Sequence, residues 1–261
     1  MTALLDTHAH LDEYEDIDTV VRQAKEAGLS AVIGVGLDIP SNEKTFDIAG
    51  RYPDFVYPAI GWYPSNVDAL KADEHLAWLD ANLHKAIAIG EIGLDYLGRI
   101  REKVPRELQK SVLADLLALA IKHDKPALLH TRYAWKDALN IAERAGLEKA
   151  VFHSFTGPSS VLRGILARGY HVSVTPAVDY NAEMQRVVKE TPLESLLLET
   201  DCPIVFKAER TGDEPPATPA DIRISLAGAA RLKGISEDEL AAVTTENAMR
   251  LFRIDNLCQP Y

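Results

Sequence analysis

Eight apolar runs of strand length, at residues 3–6, 31–35, 56–60, 86–89, 127–129, 150–152, 171–174 and 196–198, alternate with longer amphipathic stretches along the chain. They are rich in Val, Ile, Leu and Ala and mostly do not alternate with polar residues. That is the pattern of parallel strands covered on both faces. Between them, residues 18–27, 105–122, 135–145, 159–167 and 181–189 read as helices. In 105–122, Pro105 stands at a first helical position, and Leu108, Val112, Leu116 and Leu119 follow at helical spacing. A doubly wound sheet calls for a Gly-rich phosphate turn after its first strand, whereas this chain reads Asp6-Thr7-His8-Ala9-His10 there. Eight strands in 261 residues fit a (β/α)8 TIM barrel, typically ~250 residues long. No repeat or linker divides the chain, so residues 1–261 are expected to form one α/β domain. The Pro/Gly-rich stretch 211–219 reads as a long loop over the barrel mouth.

Barrel enzymes carry their working residues where strands end, on the C-terminal face. Here strand one leads into His8 and His10, strand four into Glu91, strand five into His130, strand six into His153 and strand eight into Asp201. His8 and His10 are two apart, so an extended backbone turns both to the same side. Imidazole and carboxylate groups converging from five strands are what a site for two divalent cations requires, and they suit zinc or manganese. Glu91, on a central strand, is the candidate for a carboxylate shared by both cations. Two such cations generate a nucleophile from water near neutral pH and clamp both oxygens of a displacement. Each residue alone reads as a structural histidine or a helix-capping acid; their coincidence at one end of successive strands is what points to metal. His75, His84, His123 and His171 lack that context and read as surface or core residues.

Composition narrows the setting. No apolar run approaches the ~18 residues of a membrane span. The N-terminus has no basic region and meets Asp6 at once, unlike a secretory signal, and the two cysteines, Cys202 and Cys258, suit a reducing compartment. A cytoplasmic protein without a membrane partner is expected. The formal charge of −11 disfavours broad attraction to duplex DNA, where affinity comes from phosphates neutralised by Lys and Arg. A buried cluster of acids holding cations nevertheless counts as negative while presenting a positive site.

Five segments, Asp6-Thr7-His8-Ala9-His10-Leu11, Gly90-Glu91-Ile92-Gly93-Leu94-Asp95-Tyr96, His130-Thr131-Arg132, His153-Ser154-Phe155-Thr156-Gly157 and Glu199-Thr200-Asp201-Cys202-Pro203, resemble in order and spacing the signature segments of TatD-related metal-dependent hydrolases, which have amidohydrolase-like barrels. The resemblance runs from about residue 4 to Phe252, where Asn247-Ala248-Met249-Arg250-Leu251-Phe252 is similar to the family's closing helix. It implies that His8, His10, Glu91 and Asp201 hold one cation and Glu91, His130 and His153 the other. It further implies that Asp201 takes a proton from the attacking water, so that Asp201 and Glu91 are the catalytic acids. Family members are deoxyribonucleases, notably 3′-exonucleases on single strands, using magnesium, manganese or zinc. This sequence departs from the pattern in two places that bear on substrate. Gly61-Trp62-Tyr63-Pro64-Ser65 lacks both histidines of the family's Gly-x-His-Pro-His, and Thr211-Gly212-Asp213-Glu214-Pro215-Pro216 is acidic where an Arg-Asn pair is usual.

Arg132, two residues after His130, is placed to meet an anionic group; its plainer reading is a salt bridge that orients a neighbouring acid. Trp62 and Tyr63 at the third strand's end could stack on a base or could form a hydrophobic lid. Asp95 and Tyr96 read as supports beside Glu91. Arg99, Arg101, Lys103 and Arg106 form a basic loop that could guide a phosphate backbone or be a solvated surface. Cys202 reads as packing, since no base is placed to activate it. The expected function is a divalent-metal-dependent hydrolase cleaving phosphodiesters, with single-stranded DNA as partner. The alternative on the same barrel is hydrolysis of a small ester or amide, favoured by the acidic charge. A metal-free binding module fits poorly, because all six ligand types are present.

Overall fold

The computed structural model describes residues 2–206, 215–255 and 257. Its strands are β1 (Leu4–Ala9), β2 (Leu29–Val35), β3 (Val56–Ile60), β4 (Ala88–Asp95), β5 (Ala127–Arg132), β6 (Ala150–Phe152), β7 (His171–Val174) and β8 (Leu196–Leu198). All pair in parallel in sequence order. Beyond β8 the sheet closes: Asp201 N–H donates to His8 O at 2.9 Å and His10 N–H to Cys202 O at 2.9 Å. This is the expected (β/α)8 barrel. The helices around it are α1 (Ile17–Glu26), α2 (Ile39–Arg51), α3 (Ala72–Asn82), α4 (Gly98–Lys103), α5 (Arg106–Lys122), α6 (Trp135–Ala145), α7 (Ser159–Ala167), α8 (Ala182–Glu190), α9 (Ile222–Lys233) and α10 (Glu237–Phe252).

Several helices announce their ends chemically. Asp38 caps α2 by accepting from Ser41 N–H, and Asn181 caps α8 by accepting from Glu183 and Met184 N–H. Gly146 and Gly234 close α6 and α9 in the left-handed conformation. Pro105 sits one position earlier than expected, as the residue before α5.

Alternation along each strand builds two apolar shells. Leu5, Ala31, Ile33, Val35, Ala59, Ala88, Leu128, Val151 and Leu197 fill the barrel with Ala248, Leu251 and Phe252 of α10. Their neighbours Leu4, Val32, Val56, Ile89, Leu129, Phe152 and Leu198 pack outward against the helices. Both faces are apolar, which is why the runs look continuous in sequence. Of the loop 211–219, residues 211–214 lie outside the described residues, as does Cys258. Residue Ala217 is tied back by its N–H to Ile204 O at 3.0 Å, and its carbonyl accepts from Tyr14 Oη.

His171 opens β7 opposite Val151 and is 9% exposed. Burial pushes its pKa down to about 4, helped by the charge of Arg250 on α10 and opposed by the backbone at Glu194. Folded His171 is thus neutral where an unfolded imidazole, near ~6.5, already binds a proton. Its contribution to stability is complete above pH ~6.5 and is lost as pH falls to about 4, amounting to roughly 3 kcal/mol. Urea unfolding midpoints of wild type and His171→Gln, measured from pH 7 to pH 4, should therefore converge or cross as the medium is acidified. Parallel curves would contradict this assignment.

Candidate metal centre

Plain alternation would put the key side chains on the wrong side of the wall. Leu5 faces inward, so His8 and His10 would face the helices if β1 were regular. The pairing of β1 with β2 slips between Asp6 and Ala9, where three steps along β1 match two along β2. That one extra residue reverses the phase and sends both imidazoles to the axis. β4 uses the same device. Ala88 faces inward, and the pairing with β5 slips between Ile89 and Ile92, so that Glu91 faces inward too. Glycine makes the second slip possible. A Cβ on Gly61 would lie 2.5 Å from the Gly90 carbonyl carbon and 2.6 Å from Glu91 N, so only glycine lets β3 approach the Glu91 backbone. Asn42 of α2 holds Gly61 from both sides, donating to its carbonyl at 2.8 Å and accepting from its N–H at 3.0 Å. The sequence marked neither Asn42 nor the backbone role of Gly61, because neither residue breaks an apolar run.

The barrel gathers His8, His10, Glu91, His130, His153 and Asp201 at one mouth, all of them buried. Glu91 divides the imidazoles into two pairs. Its Oε2 lies 3.5 Å from His8 Nε2 and 3.4 Å from His10 Nε2, while its Oε1 lies 2.6 Å from His130 Nδ1 and 2.9 Å from His153 Nε2. Asp201 Oδ1 stands beside the first pair, 3.6 Å from His10 Nε2 and 3.8 Å from His8 Nε2. The His8 and His153 rings stack at 4.1 Å between centroids, which sets the two pairs side by side.

Partners behind the rings decide which nitrogen faces the centre. His10 Nδ1 is 3.0 Å from the Val35 carbonyl, which can only accept, so the proton sits on Nδ1 and Nε2 offers a lone pair inward. His130 Nε2 meets the Asp95 carboxylate at 3.3 Å, leaving Nδ1 to face Glu91. Glu199 stands 3.5 Å behind His153 Nδ1 and accepts from Ser154 N–H at 2.7 Å. Carboxylates behind ligating histidines fix ring orientation and raise basicity. Glu199 was not singled out from the sequence, although it lies in the segment that carries Asp201.

Lone pairs and carboxylates converging this tightly need positive charge between them. Without metal, protons supply it. Burial opposes charge on His10, yet Asp201 and Glu91 hold it well above the usual histidine range, and Glu91 with Glu199 does the same for His153. Burial would raise Glu91, but the charges of His153 and His130 and bonds from His10 and His130 hold it well below the carboxylate range. Burial likewise acts to raise Asp201, but the His10 bond together with the charges of His153, His8 and His10 holds it below the carboxylate range. The sets His8–His10–Glu91, Glu91–His130–His153 and His8–His153–Asp201 each bring three donor atoms within 4.8 Å of one another. Imidazole and carboxylate donors in a closed, buried cluster fit borderline divalent cations.

The remaining candidates separate. Arg132 has a side chain 44% exposed, with Nη1 only 3.9 Å from Asp95, so its fork is not spent on that acid. Tyr63 Oη donates to Asp95 at 3.2 Å and its ring meets His130 edge-on, which places it beside the centre. Trp62 corrects the expectation of a base platform. It is 1% exposed, stacks on His75 at 4.2 Å and donates from Nε1 to Asn66 O, so no face is left for a ligand. Asp95 sits behind His130 as a support, whereas Tyr96 turns to Asp137. The expected basic loop is mostly helix α4, with Lys103 Nζ bound to Ser65 O and Arg106 lying over the Tyr96 ring. Cys202 is fully buried and burial pushes its thiol up, as packing requires.

Two cavities adjoin the cluster, of about 220 Å³ and about 250 Å³, and share His130, Arg132, His153 and Asp201. A larger groove of about 750 Å³, between Asp38, Asn66 and Lys103, contains none of the six.

A parallel eight-stranded barrel with such a cluster at the C-terminal ends of its strands is the architecture of a metal-dependent hydrolase. The sequence matches the TatD related DNase family over residues 5–253, and the chain belongs to that family. It is a metal-dependent hydrolase. It is 37% identical to the metal-dependent hydrolase YabD of Bacillus subtilis (strain 168), over 97% of this chain and 100% of that protein. It is 34% identical to the human deoxyribonuclease TATDN3, over 95% of this chain and 94% of that one. The crystal structure of YJJV, a TatD homolog from Escherichia coli K12, superposes with a TM-score of 0.85 at 25% identity, over 96% of this chain and 98% of that one. Among the described residues no helix is long and apolar enough to cross a membrane.

Proposed function

We propose that this protein is a deoxyribonuclease that hydrolyses single-stranded DNA from its 3′ end, with two divalent cations of the zinc, manganese or magnesium type. The observation that carries the reading is the Glu91 carboxylate, which offers one oxygen to the His8–His10 pair and the other to the His130–His153 pair. In this reading His8, His10, Glu91 and Asp201 hold one cation and Glu91, His130 and His153 the other. When bound, such a pair polarises phosphoryl oxygens and acidifies water. The Asp201 carboxylate takes the proton of the attacking water as its oxygen bonds to phosphorus and the bond to the leaving sugar oxygen breaks. Asp201 then returns that proton to the departing oxygen. The Arg132 guanidinium reaches both cavities and offers a planar fork to a phosphate. Deoxyribonuclease TATDN3 among the relatives supports the substrate class.

A second reading, hydrolysis of a small ester or amide, draws on the buried Trp62, the tethered Lys103 and Arg106, and the net charge of −11. The assay that separates the two uses manganese-reconstituted protein against 3′-ended oligonucleotides and a panel of esters and amides. Cleavage of the oligonucleotides is expected. Binding should weaken with salt along a shallow slope, each neutralised phosphate of a single strand adding ~0.7. Arg132→Ala should cut cleavage without lowering metal content. No cleavage of single-stranded DNA alongside turnover of a small ester or amide would establish the second reading instead.

A further inference from the structure

We propose that Tyr133 and Trp135, on the segment joining β5 to α6, form a stacking subsite for one nucleobase adjoining the scissile phosphodiester. The inference rests on the nuclease reading and adds where the base goes. The cavity of about 250 Å³ beside the metal centre has a mixed lining. It includes the ionic groups His130, His153, Asp201 and Arg132, and also the aromatic rings of Tyr133, Trp135 and Phe206. A ligand that joins an anionic group to a flat ring, as a nucleotide does, meets both kinds of partner there.

Tyr133 is the unusual member. It is 63% exposed, although a tyrosine ring gains nothing by facing water, and its φ is +56°. Bulky residues rarely enter the left-handed region, and when they do the strain tends to lie at binding and active sites. Ser154 and Asp201, which line the same cavity, also have positive φ, at 45° and 52°. The Trp135 ring meets Tyr133 edge-on, 5.9 Å between centroids, and is braced from behind: a Cβ on Gly157 would come within 2.7 Å of it. The platform is therefore half fixed and half open to solvent. Polar groups on the same walls suit a base. Asn181 spends its Oδ1 on capping α8, so the atom it has for a ligand is the Nδ2 donor. Thr131 Oγ1 is buried and has no partner among the described residues.

Size sets the selectivity. At about 250 Å³ the cavity is smaller than the ~300–1,000 Å³ clefts that take drug-sized ligands. Its volume is on the scale of one nucleotide, so the subsite would favour an unpaired nucleotide over duplex DNA.

The test compares oligonucleotides that carry a normal or an abasic nucleotide on either side of the scissile phosphate. Stacking of one base on aromatic side chains corresponds to roughly 5- to 150-fold in affinity. Wild type should prefer the base-bearing substrate by a factor in that range, in kcat/KM and in anisotropy-measured binding to metal-free protein, where no turnover occurs. Tyr133→Gly removes the ring and suits the backbone angle, so it should fold and should bring the preference toward one. Tyr133→Phe should keep it, and Trp135→Ala should reduce it. An unchanged preference in Tyr133→Gly, with DNA still cleaved, would overturn the subsite alone. Absence of DNA cleavage by metal-loaded wild type would overturn the nuclease reading beneath it.

Discussion

Asp201→Asn is expected to lower kcat by ~10²–10⁴ while much of the bound metal stays in place. The amide matches the carboxylate in shape and keeps one oxygen toward the His8–His10 pair, where Oδ1 now stands 3.8 and 3.6 Å from the two Nε2 atoms. It cannot accept a proton from water. The His130–His153 pair takes its close carboxylate contacts from Glu91 Oε1, 2.6 and 2.9 Å away, and the substitution leaves these untouched. Turnover and metal content should therefore be measured on the same sample. Near-normal turnover would remove Asp201 from the base role.

Glu91→Ala is expected to act on assembly. One side chain supplies an oxygen to each pair of imidazoles, so its removal weakens both sites together. The loss of metal affinity should exceed the ~10–100-fold typical of losing a partner behind a ligand. The metal-free protein should also change, because Glu91 joins Asp201 in holding a proton on His10 and Glu199 in holding one on His153. Chelator competition on the variant is the measurement. Loss confined to one of two sites would show that the carboxylate is not shared.

β3, β6, β7 and β8 were legible to the residue, because short apolar runs end cleanly where their strands end. β1, β4 and β5 run on through His8, Glu91 and His130, past the point where apolar character stops. A strand that ends in a site substitutes polar for apolar residues at its last turns, so hydrophobicity under-reports its length. The two register slips could not be read at all. Phase is visible in sequence only when one face is polar, and here Leu4 and Leu5, like Ala88 and Ile89, are buried on opposite sides. The six residues of the cluster could be picked out because each interrupts an apolar run. Asn42, Gly61 and Glu199 act through contacts 19 to 46 residues away in sequence, and no local pattern carries that. Trp62 misled for the opposite reason: its partner His75 lies on α3, which the apolar periodicity did not mark.

Counting metal tests the central claim most directly. Protein stripped with chelator, reconstituted with manganese or zinc and freed of excess ion should contain two equivalents per chain by elemental analysis, falling below one in Glu91→Ala. Wild-type protein that retains no metal above the buffer blank would contradict the account, since His8, His10, Glu91, His130, His153 and Asp201 would then be a proton-filled cluster and not a metal centre.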